Sequence, residues 1–592
     1  MRILGFYDDH NCGAAVIEDG KILAALEEER LSRIKLHDGN GPEGPGYRCL
    51  EMVLKMTNST PDNIDRIALA IQPPGELLKL VMKDMLSQGN FKWFMASFLT
   101  RSPRWDNYWL LYPYFYNWYR IVRTKKLLKK YGFANTPIEL VDHHTAHAAS
   151  AYYTRGVQDA MIFTLDGQGD GLCGGIYKGK GTKLECLDTV SSYHSPGLFY
   201  NLITWMLGFK PNRHEGKITG LAAHGDYNKV KPVFDELFSF NGRGEFSYDL
   251  AKQMWWHHPY PHRTHYPKFV KKIEEQLKPF SKEDIAAGVQ VHSEIVVKKW
   301  VSTYLKDLKD VDLCLAGGVF ANVRINQEVA ELPNVRSVFI FPAMGDAGLC
   351  AGAALYSYFN ENTPAARERK IAPLQDVYLG PDYSDKEIET ELKKANLKYT
   401  YYDRVEPELA KLLAKGHVVA RFNGRMEFGP RALGNRTIMY QATDQTVNDW
   451  LNKNLKRTEF MPFAPATVKE DTNREYINVG HNDLPAMYMT ITFDCTPDMK
   501  KRCPAVVHID GTARPQLVTE KSNKSFYHII NEYKKITGLS SLINTSFNMH
   551  EEPIVCSPYD AIRAFQLGHL DYLALGNFLV QLDSQDMVSR KK

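Results

Sequence analysis

No apolar run in this 592-residue sequence reaches the ~18 residues needed to span a bilayer, so a helical membrane span is not expected. Its start, Met1-Arg2-Ile3-Leu4-Gly5-Phe6, reads as a first strand and not as a signal peptide. No Cys-x-x-Cys spacing occurs among the nine cysteines, which excludes a paired-thiol motif and suits reduced thiols in a cytoplasm. An excess of one charge is lacking too. The 73 Lys and Arg against 69 Asp and Glu leave +4, which makes no case for nucleic-acid binding. There is no low-complexity segment.

What is present is an ordinary globular composition, 44% apolar and 24% charged, at a length that calls for two or more domains. Residues 360–378 carry Pro364, a charged run from Arg367 to Lys370, and Pro373. This boundary divides the chain into domains 1–365 and 366–592. One segment is compositionally odd. Residues 91–133 hold 15 aromatics and nine Lys or Arg against the single acid Asp106. They mark an insertion at about 75–135, with a basic helical stretch from Arg120 to Lys130. Its rings and cations suit sugar faces, headgroups or anionic lipid surfaces; the other reading is an amphipathic hairpin packing on its own domain.

Residues Val141 to Ser150 place His143 and His147 four apart in a helix-favouring stretch. Both imidazoles then share a face and can bind one metal ion. A second such pair, His258 and His262, lies among Pro259, Pro261 and Pro267, which break any helix. Next comes an apolar strand, Met161 to Leu165, ending in a glycine-rich turn with Asp166 and Asp170. Val338 to Gly348 repeats the design, with Asp346 following the strand. Two histidines with Asp166 and Asp346 make a mixed nitrogen and oxygen site suited to iron(II), manganese or zinc.

The first thirty residues read strand, turn, strand, Asp19-Gly20 hairpin, strand, and the segment after Met161 repeats that plan. A meander facing a phosphate-sized cleft, occurring twice, is the plan of the actin-like ATPase fold. Asp8 and His10 occupy the first turn, and Asp170 its counterpart. His10 reads as a general base or as a solvated turn histidine. His224, between glycines, and Gly317, Gly318 and Asn322, at a strand-to-helix corner, are further cleft residues.

Beyond the boundary the flavour changes. The strand Val418 to Phe422 leads into Asn423–Arg436, with three arginines and three glycines in fourteen residues. Such a loop suits a polyanion, because guanidinium binds phosphate oxygens in bidentate fashion. Arg425 and Arg431 lie in it; Lys456, Arg514, Asn544 and Asn548 follow at or near other strand ends.

These residues resemble those of the ATP-dependent O-carbamoyltransferases of the nodulation-factor and aminoglycoside type, from Gly5 to Leu582. Glu27–Arg33, His143–His147, Asp166–Gly171, Lys217–Gly225, Gly424–Arg436, His508–Arg514 and Asn544–Asn548 carry the resemblance. It implies an α/β chain. The N-terminal part would be a duplicated actin-like domain, related to the tRNA threonylcarbamoyladenosine ligase. The C-terminal part would be an α/β domain like threonylcarbamoyl-adenylate synthase. It implies that carbamoyl phosphate and ATP, with Mg²⁺, give carbamoyl-adenylate in the C-terminal domain, and that an acceptor hydroxyl is carbamoylated at the N-terminal metal site. His143, His147, Asp166 and Asp346 would be the metal ligands, iron(II) foremost, and His10 the base. Arg425, Arg431, Lys456, Arg514, Asn544 and Asn548 would be adenylate or carbamoyl phosphate contacts. Departures stand at Met461, where Arg is common, at His550-Glu551, where Arg-Gly is common, and at His224, where Tyr is usual.

A tRNA-directed enzyme and a non-catalytic nucleotide-binding module are the competing readings. The first would be expected to carry a broad basic surface, and the second would not need the metal constellation. On the acceptor side only the 91–133 insertion speaks. It predicts a wall or lid over the metal site, an anionic saccharide acceptor rather than a cationic aminoglycoside, and a peripheral membrane contact.

Overall fold

A computed structural model describes residues 1–42, 44–77, 79, 106–240, 246–247, 268–361, 363–455 and 463–582. Strands β1 (Arg2–Tyr7), β2 (Gly13–Glu18) and β3 (Lys21–Glu27) form an antiparallel meander. Then β4 (Arg66–Ala70) and β5 (Ile138–Val141) add in parallel, in the order β3-β2-β1-β4-β5. The second sheet repeats this plan. It contains β6 (Asp159–Gly169), β7 (Leu172–Lys180), β8 (Lys183–Ser191), β9 (Val311–Ala316) and β10 (Val335–Ile340). Their order, β8-β7-β6-β9-β10, is the first sheet's order strand for strand. The expected duplication is thus present, and the two halves have the actin-like plan.

Two hairpins follow from local chemistry. Asp19 and Gly20 have φ of 47° and 79°, and Asp170 and Gly171 have 50° and 87°. Paired positive φ values match the two-residue turns that suit the twist of antiparallel strands. The second hairpin corrects an expectation. β6 does not end at Leu165 but runs to Gly169, with a register shift between Leu165 and Gly169. The irregularity bends the strand where Asp166 must turn toward the cleft.

Between the sheets lie α2 (His143–Arg155) and α4 (Leu349–Phe359); α1 (Asp106–Lys130) precedes them and α3 (Glu215–Ala222) lies between them in the chain. The insertion's described helix, α1, is one continuous 25-residue element, longer than the Arg120–Lys130 stretch read from sequence. Asp142 caps α2 by accepting from Thr145 N at 2.8 Å, and Gly156 ends it at φ 81°. Close packing fixes α2. A Cβ on Gly352 of α4 would stand 1.9 Å from Ala146 O, and one on Gly5 would stand 1.9 Å from Cys350 O. Only glycine lets α4 slot between β1 and α2, and that slot positions both ends of the candidate site.

The third sheet has eight strands and lies wholly beyond Tyr399. These are β11 (Tyr399–Tyr401), β12 (Val419–Phe422), β13 (Arg436–Gln441), β14 (Ala464–Val468), β15 (Gln516–Val518), β16 (Ser541–Ser546), β17 (Tyr572–Leu575) and β18 (Phe578–Gln581). Their order is β11-β18-β17-β12-β13-β16-β14-β15, of mixed direction. The seam with the first sheet is built by two of the motifs singled out above. Glu27 Oε1 accepts from Gly429 N at 2.9 Å, and Arg30 donates to Gly429 O at 2.8 Å. Arg33 reaches Ile554 O and Pro553 O, both at 2.7 Å.

Candidate active site

The four expected ligands converge. His143 and His147 project from the first turns of α2, Asp166 from the irregular part of β6, and Asp346 from the turn before α4. His147 Nε2 lies 3.2 Å from Asp166 and 3.5 Å from Asp346; His143 Nε2 lies 3.9 and 3.7 Å from the same carboxylates. One ligand atom from each falls within 4.8 Å of the others. Donors bound at about 2.1 Å around one ion stand roughly 3.0–4.2 Å apart, so closure needs shifts of about half an ångström. His143 Nε2 is buried and has no hydrogen-bond partner, which is the condition of a ligand atom facing its ion. His144 points elsewhere, with Nδ1 3.1 Å from Thr164 Oγ1.

The electrostatics agree. Burial pulls His143 toward neutrality, yet its contact with Asp166 and the charges of Asp346 and Asp170 outweigh burial and hold the imidazole up to about 9. Burial raises Asp166, but His143 and His147 bring its carboxyl well below the usual carboxylate range. Two half-buried carboxylates facing one pocket favour a cation between them, and the proton on His143 stands in for one.

A second layer was missed by the sequence reading. Tyr7 OH donates to Asp346 Oδ2 at 3.3 Å, and its ring meets His143 edge to face at 6.2 Å. Burial, then Asp346, push the Tyr7 phenol up, so it stays a donor. Behind Tyr7 sits buried Arg120 of α1, with its guanidinium 5.4 Å over that ring and its nitrogens 3.2 Å from Asp9 and 3.6 Å from Asp170. The only sequence signal was the adjacency of Tyr7 to Asp8 and Asp9 at the end of β1.

The remaining cleft residues divide. Asp8 is buried and anchors α1 through Arg123 at 2.7 Å, while also accepting from Gly46 N at 3.0 Å. Asp170 accepts from Gln72 N at 2.8 Å and Asn117 Nδ2 at 2.9 Å. Both carboxylates therefore tie α1 to the two turns. Gly317 has φ 102°, and a Cβ on Gly318 would stand 2.9 Å from Asp166 Oδ1, so this corner abuts the ligand set. Asn322 caps the Val323–Ala330 helix and exchanges hydrogen bonds with Gln290 at 2.8 and 3.2 Å. His224 is exposed just past α3. His10 is half-buried in the turn after β1, near enough to Glu215 that its charge partly offsets the burial that raises that carboxyl.

The C-terminal residues fit the expectation less well. Arg425 Nε donates to Gly380 O at 3.1 Å, and Nη2 to Leu23 O at 2.9 Å and Leu379 O at 2.7 Å. Those bonds span the seam, so Arg425 braces it through Nε and Nη2. Asn544 is buried, donating to Ala432 O at 3.0 Å and Gln516 Oε1 at 2.7 Å and accepting from Thr437. Both of its amide hydrogens are thus used inside the protein. Arg431 and Arg514 are half-buried, and Asn548 Nδ2 bonds Met549 O and Glu552 O at 2.9 and 2.8 Å. Lys456 and Met461 lie outside the described residues, as do most of the insertion's residues before α1.

With this geometry in view, comparisons place the chain. Residues 2–355 match the family described as Carbamoyltransferase N-terminus, and residues 410–582 match Carbamoyltransferase C-terminus. A protein of Synechocystis sp., sll1178, is 32% identical over 99% of this chain and 97% of its own length. Nodulation protein NolNO of Sinorhizobium fredii is 31% identical over 97% of this chain and 79% of its own. Among solved structures, HypF of T. kodakarensis covers 60% of this chain and 47% of itself at 14% identity, with a TM-score of 0.31, too low to carry weight. The two family matches, spanning both the His/Asp cluster and the arginine-rich loop, make this chain a member of the carbamoyltransferase family and a transferase enzyme.

Proposed function

We propose that the chain is an ATP-dependent O-carbamoyltransferase that works in two steps on two domains, 1–365 and 366–592. In the C-terminal domain, carbamoyl phosphate, water and ATP (with Mg²⁺) give carbamoyl-adenylate, phosphate and pyrophosphate. Arg431, Arg514, Asn548 and Lys456 would hold the anions there, while Arg425 and Asn544 keep the loop and strand in place. In the N-terminal domain an acceptor hydroxyl attacks the carbamoyl carbon, the bond to AMP breaks, and the hydroxyl proton leaves. His10 is the base for that proton, with Glu215 beside it. His143, His147, Asp166 and Asp346 would hold one divalent ion, iron(II) before manganese or zinc. Such an ion supplies Lewis-acid polarisation of the reacting oxygen. Tyr7 orients Asp346 through its hydrogen bond. Gly317 and Gly318 let this corner pack directly against Leu165 and Asp166, which fixes the Asp166 carboxylate in place.

The observation that carries this reading is the four-donor cluster with His143 Nε2 buried and unpaired. For the acceptor we favour an anionic saccharide, on the aromatic and basic composition of residues 91–133, of which α1 forms part. Purified protein should release pyrophosphate from ATP only when carbamoyl phosphate is present, and should bind about one divalent ion. Pyrophosphate release that ignores carbamoyl phosphate would refute the donor step. A preparation that binds no divalent ion would refute the acceptor site.

A further inference from the structure

Helix α1 is unlike an ordinary surface helix in carrying apolar side chains on both faces. Its inner face is mixed and buried: Asn117, Arg120 and Thr124 with Ile121, Leu127 and Leu128. The outer face begins with Phe115, Trp118, Tyr119 and Val122, which are 56, 56, 53 and 46% exposed. Their spacing of i, i+3, i+4 and i+7 is one stripe of a helix. Thirteen large apolar side chains are conspicuously exposed among the described residues; four of them fall in these eight positions and the others are scattered. The same stripe continues into Lys125, Lys126, Lys129 and Lys130, all exposed. From Asn107 to Ile138 the sequence has no Asp or Glu.

We propose that this face of α1 docks on a bilayer surface that carries anionic headgroups. Trp and Tyr partition to the headgroup level, and lysines on the same stripe complement the negative surface. A second protein copy is the competing occupant. Docking has a consequence for chemistry. The inner face of the same helix holds Asp9 and Asp170 through Arg120, and Asp8 through Arg123. The wall of the metal site is thus the back of the docking helix, and a lipid-borne acceptor would enter at the membrane. The docking itself stands apart from carbamoyl transfer, since it is read with no substrate present.

The test is co-sedimentation of the full chain with sucrose-loaded vesicles of phosphatidylcholine containing 30% phosphatidylglycerol, against phosphatidylcholine alone. Wild type should pellet with the anionic vesicles and be released by 0.5 M NaCl. Each lysine is worth roughly five-fold at such a surface, so K125E/K126E/K129E/K130E should weaken binding about 100-fold or more. Trp118→Ser with Val122→Ser should weaken it at least tenfold, while Tyr401→Ser, exposed elsewhere, should change nothing. Thermal melts of each variant should match wild type. Absence of pelleting at low salt would overturn the proposal. So would pelleting unaffected by either set of substitutions. A concentration-dependent dimer lost in the Trp118/Val122 variant, with no vesicle binding, would assign the face to a second copy.

Discussion

The His/Asp cluster and the arginine-rich loop were both picked out as places where polar side chains gather, and they turn out to be built differently. In the cluster the side chains point at one another and leave a buried nitrogen, His143 Nε2, without a hydrogen-bond partner. In the loop the arginines turn inward. Arg436 is fully buried, stacks 3.6 Å over the Phe422 ring, and donates to the carbonyls of Asn423, Asn435, Pro381 and Gly424. Arg425 does likewise across the seam. Glu427 Oε1 completes the turn by accepting from Leu433, Asn435 and Arg436 N. Both regions leave buried atoms without a hydrogen-bond partner, Arg436 Nε and Glu427 Oε2 in the loop and His143 Nε2 in the cluster. The difference lies in what surrounds them: the loop's other donors already serve carbonyls of the protein, whereas the open nitrogen of the cluster faces two carboxylates.

Breaking the cluster should give the largest effect. Asp346→Ala or His147→Ala should abolish bound metal, seen by elemental analysis, and slow carbamoyl transfer at least 100-fold. Pyrophosphate release in the other domain should stay within about two-fold. If pyrophosphate release fell in parallel in a folded variant, the two sites would not be separate.

Breaking the loop should instead cost stability. Arg436→Met removes donors from four carbonyls and should destabilise by about 3 kcal/mol in urea unfolding. A variant as stable as wild type, but dead in pyrophosphate release, would show that Arg436 meets substrate after all and would collapse the contrast.

Tyr7 sharpens the comparison from the other side. Tyr7→Phe keeps the ring against His143 but removes the hydrogen bond to Asp346. Partners of metal ligands are worth roughly 10–100-fold in affinity, so metal titration should show a loss in that range with little change in melting temperature. Unchanged affinity would mean that Asp346 is held by packing of α4 alone.

These contrasts explain what could be read in advance. The i, i+4 pairing of His143 and His147 was legible because a helix turns periodicity into a shared face. So was the doubled strand-turn-strand plan, with Asp19-Gly20 as its punctuation. Both are local. The roles of Arg425 and Asn544 were not legible, because a guanidinium or amide satisfies a carbonyl as readily as a phosphate, and which one lies nearby is set by the fold. Tyr7 was invisible for a similar reason: it meets Asp346, 339 positions away in the chain. The bend in β6 that aims Asp166 leaves no mark beyond its glycines.

The smallest expected effect lies at Glu551, which joins the two regions. It accepts from His214 Nε2 at 3.0 Å, with Arg213 at 3.4 Å and Lys210 at 3.7 Å, all from the segment leading into α3. Burial would raise its carboxyl, but the His214 hydrogen bond, the charge of that imidazole once protonated, and the charges of Lys35 and Lys210 hold it down to about 2, while burial keeps His214 itself below the usual imidazole value. Because the folded value lies below the unfolded ~4.3, the contact stabilises above that pH and its contribution fades as pH falls from there toward 2. The side chain is 29% exposed, so solvent and salt screen the contact and Glu551→Gln should cost less than about 1 kcal/mol at pH 7. Glu551 also sits at φ 61°, where glycine is easier. Glu551→Gly therefore loses the contact but relieves the backbone, and should come out nearer to wild type than Glu551→Gln. Urea midpoints at pH 7, 4.5 and 3.5 separate these terms. The gap between wild type and Glu551→Gln should begin to close below ~4.3, whereas a gap that widens on acidification would show that the carboxylate does not stabilise the seam.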